Sequence, residues 1–185
     1  VVAAEWADSL GVDVINTSLG YTTFDNGIGD HSYADLDGRT AVISRAATAA
    51  ARTGMIVVVA AGNEGSSAWK YISCPADADS IFSVGAVDGL GVRAGFSSQG
   101  PTADGRTKPD IATRGSSATM MKSSGTVGTG SGTSFASPIA CGAMACLVQA
   151  HKSTNSALSI QDLMNLVRSE ASQASKPDSL LGWGI

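Results

Sequence analysis

The run Met55-Ile56-Val57-Val58-Val59-Ala60-Ala61 is the most apolar segment of its kind in the chain, bounded by Gly54 and by Gly62-Asn63-Glu64-Gly65. It is too short for a helix of ordinary length and rich in β-branched residues, so it reads as a strand. Both residue parities are apolar. A strand with two apolar faces has to lie inside a sheet that is covered on both sides.

The flanking segments repeat this logic. Val12-Asp13-Val14-Ile15-Asn16 and Ile81 to Val87 read as further buried strands, and Asp110-Ile111-Ala112 as a last short one. Between and around them lie helical segments. Val1 to Leu10 reads as the end of a helix, with Val2, Trp6 and Leu10 at four-residue spacing and Gly11 as its stop. Thr40 to Thr53 is an alanine-rich helix ended by Gly54. Ile139 to Ala150 is long enough for about three turns. Ser159-Ile160-Gln161-Asp162 has the pattern of a capping box and opens a helix running to about Glu170. Tyr21 to Gly38 is a long polar loop, and Phe96 to Pro109 is turn-rich. Strands alternating with helices imply an α/β protein with a mostly parallel sheet flanked by helices in three layers. In such sheets function collects at the carboxyl ends of the strands, where Ser18-Leu19-Gly20 and Gly62-Asn63 both sit.

Composition supports a closely packed domain. Of 185 residues 43% are hydrophobic and 15% charged, with 22 glycines. The net charge of −4 and the absence of a basic run argue against nucleic acid as a partner. No apolar run reaches membrane-spanning length and no signal-peptide pattern is present, so a membrane is not expected as a partner. The chain opens on Val1-Val2-Ala3-Ala4, so its first residue reads as a processing or cloning boundary. Cys74, Cys141 and Cys146 are an odd set without metal spacing; they read as small buried hydrophobes.

The stretch Gly130-Ser131-Gly132-Thr133-Ser134-Phe135-Ala136-Ser137-Pro138 is a glycine-rich turn running into an apolar helix. A serine there stands at the mouth of the helix, where free backbone N–H groups and the dipole favour developing negative charge. That is a use for a nucleophile, and it is equally the place of an N-cap. Asn63, between two glycines, could on its own cap a turn.

Three blocks together resemble the subtilisin-like serine peptidases, the subtilases: Asp13 to Gly20, Ala60 to Gly65, and Gly132 to Pro138. Val84-Gly85-Ala86-Val87, Phe96 to Pro101, Lys108-Pro109-Asp110-Ile111 and Gly182-Trp183-Gly184 fall in the same order. The resemblance implies a serine endopeptidase that hydrolyses peptide bonds through an acyl-enzyme. It implies Ser134 as nucleophile and Asn63 as oxyanion-hole side chain beside the Ser134 N–H. It implies Ser18, Leu19 and Gly20, with Ala61 and Gly62, as walls of the pocket for the residue before the scissile bond, and Thr133 as shaper of the turn. A polypeptide is the implied substrate, no cofactor is required, and export from the cell is a family-level expectation. Pro138 is counted as the fifth helical residue from Ser134, where its missing N–H costs little.

A serine nucleophile needs a base, and the base an orienting acid. In this family both precede the substrate-binding strand, in an Asp-Ser/Thr-Gly turn and a His-Gly-Thr-His block; neither occurs here. His151 lies 17 residues beyond Ser134 along one helix, roughly 25 Å away, against a hydrogen-bond reach of about 3 Å. His31 matches neither block. The expectation is therefore a partial catalytic domain spanning 1–185, with the N-terminal strands and the acid and base missing, inactive alone, and with an exposed strand edge that invites self-association. The missing N-terminal half of the same domain is its expected partner. Ile139 stands where the family usually has a second histidine, and Ala112-Thr113-Arg114-Gly115 replaces an Ala-Pro-Gly ending.

Asp25, Asp30, Asp35 and Asp37 carry oxygen ligands of the kind Ca²⁺ takes, but their spacing fits no EF-hand loop and a solvated loop is the preferred reading. A structural Ca²⁺ stays open on that ground alone. A non-catalytic subtilase-like binding or regulatory domain is the alternative function. An esterase is disfavoured because Gly-x-Ser-x-Gly is absent, and a nucleotide site at Gly128-Thr129-Gly130 because its glycine pattern is incomplete.

Overall fold

The computed structural model describes residues 1–154 and 159–185. Its centre is a parallel sheet of four strands in chain order: β1 (Val14–Thr17), β2 (Ile56–Ala60), β3 (Phe82–Val87) and β4 (Ile111–Arg114). Val14 pairs with Ile56, Val58 with Phe82, and Val84 with Ile111. Four α-helices cover it: α1 (Val2–Ser9), α2 (Val42–Arg52), α3 (Thr133–Ser153) and α4 (Ile160–Glu170). The expected strands are present with edges moved by one or two residues. The expected α4 capping box forms, Ser159 Oγ accepting the Asp162 N–H at 3.2 Å and Asp162 Oδ2 accepting the Ser159 N–H at 2.9 Å.

The apolar run in β2 explains the three layers. Every one of its five residues is buried. Ile56 and Val58 face one core with Phe82, Val84, Ala136, Ala140, Met144, Leu163 and Met164, beneath α3 and α4. Val57 and Val59 face the other with Leu36, Ala50, Ile72, Cys74 and Ile81, beneath α2. A period of two thus feeds two cores from one strand. Buried apolar area of this kind is the main favourable term in folding.

Three features depart from the sequence reading. α3 begins at Thr133 and runs for 21 residues, longer than the apolar run Ile139–Ala150. It is long and apolar enough in composition to cross a bilayer, contrary to the expectation that no segment would be. It nevertheless crosses all four strands of the sheet, which makes it the core helix of this domain. Second, a hairpin of β5 (Ala118–Met121) and β6 (Val127–Gly130) precedes α3 in a stretch where no strands were expected. β6 is half glycine and lies at exposed and half-exposed positions, and β5 buries only Ala118 while Met121 is exposed, so no apolar periodicity marks them. Third, the α1 stripe points outward. Val2, Trp6 and Leu10 are 77%, 67% and 62% exposed, while Ala4 and Ala7 make the contact with the core. Four-residue spacing identified a helix face, and the small residues between took the packing.

The two sheet edges differ. The outer side of β4 is covered by the C-terminal segment: Ala112 N–H donates to Gly184 O at 2.8 Å and Trp183 N–H to Asp110 O at 2.9 Å. The outer side of β1 has no strand partner among the described residues. Under β4 lies a buried charge cluster. Asp110 accepts from Lys108 Nζ at 2.7 Å, from Arg168 Nη2 at 2.7 Å and from the Ser83 N–H at 2.7 Å. The Arg168 guanidinium also lies over the rings of Phe82 and Trp183. Burial pushes the Asp110 carboxyl up, but Lys108 and Arg168 outweigh it and hold the carboxyl below the usual carboxylate range. One carboxylate therefore joins the start of β4 to β3 and α4, and Arg168 carries the link on to Trp183 in the C-terminal segment. Asp110→Ala strands the buried Lys108 charge, and the expected cost is about 3–5 kcal/mol, read as a lower urea midpoint. A loss below about 1 kcal/mol would show that the cluster does not hold the fold.

Candidate active site

The site is built where the carboxyl ends of β1 and β2 meet the first turn of α3. Gly132 caps that helix with φ 149° and ψ 155°, a conformation open to glycine alone. Its N–H donates to Gly115 O at 2.8 Å. Ser134 is the second residue of α3 and half-buried. The first N–H groups of a helix have no carbonyl one turn back. Thr133 N–H finds Asn63 Oδ1 at 2.8 Å and Phe135 N–H finds Gly132 O at 3.1 Å. The Ser134 N–H between them has no partner among the described residues.

Asn63 follows β2 through Gly62, whose φ of 115° turns the chain toward α3. Asn63 Oδ1 also accepts from Thr133 Oγ1 at 3.1 Å, and Thr133 Oγ1 accepts from the Gly62 N–H at 3.1 Å. With Oδ1 committed to Thr133, the Nδ2 end of Asn63 is unspent. Two N–H donors, Asn63 Nδ2 and the Ser134 amide, thus stand unused on residues that line the same cleft. Donors arranged in advance stabilise negative charge that develops next to them without reorganising.

The third component comes from β1. Ser134 Oγ donates to the Ser18 carbonyl at 3.3 Å, and Ser18 Oγ donates to the Ser134 carbonyl at 3.1 Å. Leu19 is exposed, and Gly20 lies so close to Ser73 that a Cβ would meet its hydroxyl at 2.0 Å. Ser18, Leu19, Gly20, Gly62, Asn63, Thr133 and Ser134 line one cleft of about 150 Å³. Seven of the eight residues expected at the site are therefore brought together. Ala61 is not on the wall. It is fully buried, its N–H bonded to Val84 O and its carbonyl to the Ser73 N–H. Ala60 lines the cleft instead, with Thr22, Glu64 and Ser73. Strand parity separates Ala60 from Ala61. No local signal marks Ser73, which reaches the cleft only because its loop returns against Gly20 and Gly62.

Neither histidine joins this cleft. His31 lies edge-on to the Phe24 ring at 5.5 Å and lines a separate apolar cavity of about 560 Å³ with Tyr21 and Ile28. His151 sits in the last turn of the unbroken α3. Three carboxylates of the 21–38 loop hold backbone N–H groups within it or just after it. Asp30 accepts the Phe24 N–H, Asp35 the Ser32 N–H and hydroxyl, and Asp37 the Arg39 and Thr40 N–H groups, all at 2.7–2.8 Å. The Ser32 bonds hold the Asp35 carboxyl below its ordinary range. Among the described residues no three His, Cys, Asp or Glu side chains converge as metal ligands do. Of the cysteines, Cys74 is fully buried, and burial followed by the nearby Asp77 pushes its thiol up to about 12. Cys141 is half-buried and Cys146 exposed, so the small-hydrophobe reading fits the first and not the last.

The profile of the subtilase family matches residues 1–184. Subtilisin of Bacillus pumilus is 36% identical over 148 residues, 80% of this chain and 46% of the relative. Subtilisin DY of Bacillus licheniformis is 38% identical over 149 residues, 80% of this chain and 47% of the relative. Among solved structures, the patellamide maturation protease PatA superposes with a TM-score of 0.76 at 26% identity, over 99% of this chain and 62% of that one. The chain spans a little under half the length of these subtilisins. Its parallel three-layer fold and the meeting of three motif blocks at one end of the sheet agree with that match over nearly every residue, and the chain belongs to the subtilase family.

Proposed function

We propose that this chain carries the nucleophile, oxyanion and substrate-wall part of a serine endopeptidase, and that the base and its orienting acid are supplied from outside it. Ser134 attacks the scissile carbonyl, and Asn63 Nδ2 with the Ser134 N–H receives the developing oxyanion. Ser18-Leu19-Gly20 pairs with the substrate backbone as an added strand and, with Gly62, walls the pocket for the residue before the scissile bond. Thr133 locks Asn63, and Ala61 supports the wall from behind. The reading needs no cofactor. It does not depend on a structural Ca²⁺ in the 21–38 loop, where Asp30, Asp35 and Asp37 each accept backbone N–H groups. Family membership is the support for a polypeptide substrate and for export from the cell.

One observation carries the proposal: two unspent N–H donors, on Asn63 and Ser134, share one cleft with a hydroxyl whose own proton rests on a backbone carbonyl 3.3 Å away, and neither histidine lines that cleft. A carbonyl cannot take that proton, so the isolated chain is inactive. Incubated with a fluorophosphonate, it should show no stoichiometric adduct at Ser134 over hours by mass spectrometry; rapid stoichiometric labelling would overturn the inactivity. In a complete peptidase carrying this chain, Asn63→Ala should lower kcat by about 10²–10³ with KM held, a value known from subtilisin itself. An unchanged kcat would remove Asn63 from the oxyanion site. The absent base also favours a second reading, a non-catalytic subtilase-like binding or regulatory domain. A complete form that still fails to react with the fluorophosphonate would decide for it.

The open outer side of β1 and, separately, the exposed apolar Val2, Trp6 and Leu10 support self-association of the isolated chain. Sedimentation equilibrium should show average mass rising with concentration. A monomer mass across the range would rule this out.

A further inference from the structure

An α-helix joins each N–H to the carbonyl four residues earlier. In α3 the residue that should serve the Ser134 carbonyl is Pro138, the sixth residue of the helix. Proline has no N–H, and its ring crowds the carbonyl four residues back. The residue read as the nucleophile therefore has an orphaned carbonyl within the helix. The expectation that this loss costs little does not hold: a fifth helical residue already serves the first carbonyl, so a helical bond is missing whether counting starts at Thr133 or at Ser134.

The missing donor is replaced from β1. Ser18 Oγ donates to Ser134 O at 3.1 Å. A hydroxyl rotates freely, so something has to aim its single proton. Asn16 Nδ2 donates to Ser18 Oγ at 3.0 Å, which occupies that oxygen as an acceptor and leaves its proton for Ser134. The other end of the Asn16 amide is also held: Oδ1 accepts from Ser137 Oγ at 2.7 Å. Ser137 is fully buried and stands one residue before Pro138. Strand alternation accounts for the reach. Val14 packs against the core under α3 and Ile15 against the opposite one, so Asn16 falls on the α3 side.

We infer that Asn16 is a positioning residue for Ser134, acting through Ser18 in place of the helical donor that Pro138 removes. It touches neither the substrate nor the reacting hydroxyl. It sets where Ser18 points, and Ser18 holds Ser134 twice, by its hydroxyl at the carbonyl and by its own carbonyl at Oγ. An amide is suited to the task because one end must donate and the other accept. Asp at position 16 would keep the Ser137 bond and lose the Ser18 bond. The assignment of a catalytic purpose rests on the proposed role of Ser134; the relay itself does not.

Two measurements separate these. In the isolated chain, amide hydrogen exchange reads the first turn of α3. Asn16→Asp and Ser18→Ala should each speed exchange at Thr133 and Phe135 by about five- to tenfold, the worth of one hydrogen bond. The double variant should be no faster than either alone. Adding Pro138→Ala to Ser18→Ala restores an N–H for the Ser134 carbonyl and should return exchange toward the parent rate. Additive effects of Asn16→Asp and Ser18→Ala, or no recovery with Pro138→Ala, would overturn the relay. In a complete peptidase carrying this chain, Asn16→Asp should lower kcat by about 10- to 100-fold with KM unchanged, and Pro138→Ala should recover part of the Ser18→Ala loss. A raised KM at constant kcat would overturn the positioning role. A complete form that hydrolyses no peptide even unmutated would sink the peptidase reading while the exchange result stands.

Discussion

The first turn of α3 is clamped between the ends of two neighbouring strands. Thr133 is held by Gly62 and Asn63 from β2, and Ser134 by Ser18 from β1. Because β1 and β2 are parallel and in register, Val14 to Ile56 through Thr17 to Val59, their carboxyl ends arrive together at one level. Gly132 makes the approach possible, since its φ of 149° lets the chain enter the helix directly from the β6 side. Everything that could act chemically on a substrate depends on that clamp.

The clamp in turn depends on where α3 lies. Its buried face, Ala136, Ala140, Met144 and Val148, packs on Ile56, Val58, Phe82, Val84 and Ile111. Small residues at the contact let the helix approach the sheet closely. The charge cluster around Asp110 ties α4 and the C-terminal segment to β3 and β4 beside it. Removing Asp110 and Lys108 together would cost less than removing Asp110 alone, because an unpaired buried charge is the expensive state. The helix is thus fixed along its length by apolar burial and at its start by directional bonds. The second kind of bond is short and directional, so it fixes the orientation of the groups it joins.

Much of the site was legible in order and chemistry. A serine at a glycine-rich helix start, an asparagine between glycines after the most apolar strand, and a Ser-Leu-Gly at the end of the preceding strand are signals that survive without coordinates. Three things were not legible. Ala61 and Ala60 are both small and apolar, and only the pleat of β2 decides which faces the cleft. Ser73 enters the cleft through a loop return that no local pattern encodes. The outward turn of Val2, Trp6 and Leu10 reverses the usual meaning of an apolar stripe, because helix periodicity names a face without naming what covers it.

The sequence by itself determined the kind of layers, the order of the four parallel strands and the helices, and the absence of a suitably placed histidine. These follow from local periodicity, from the chain order of the blocks, and from the rise per residue of a helix that carries His151 away from Ser134. Only the tertiary structure decided how Ser134 is held. That Pro138 strips a donor from the Ser134 carbonyl could be counted along the chain once the helix start was known. That Ser18, aimed by Asn16, supplies the replacement required the distance between residues 116 positions apart. Hydrogen bonds are short and directional, so their partners are chosen by packing, and packing is not written in any single stretch of sequence.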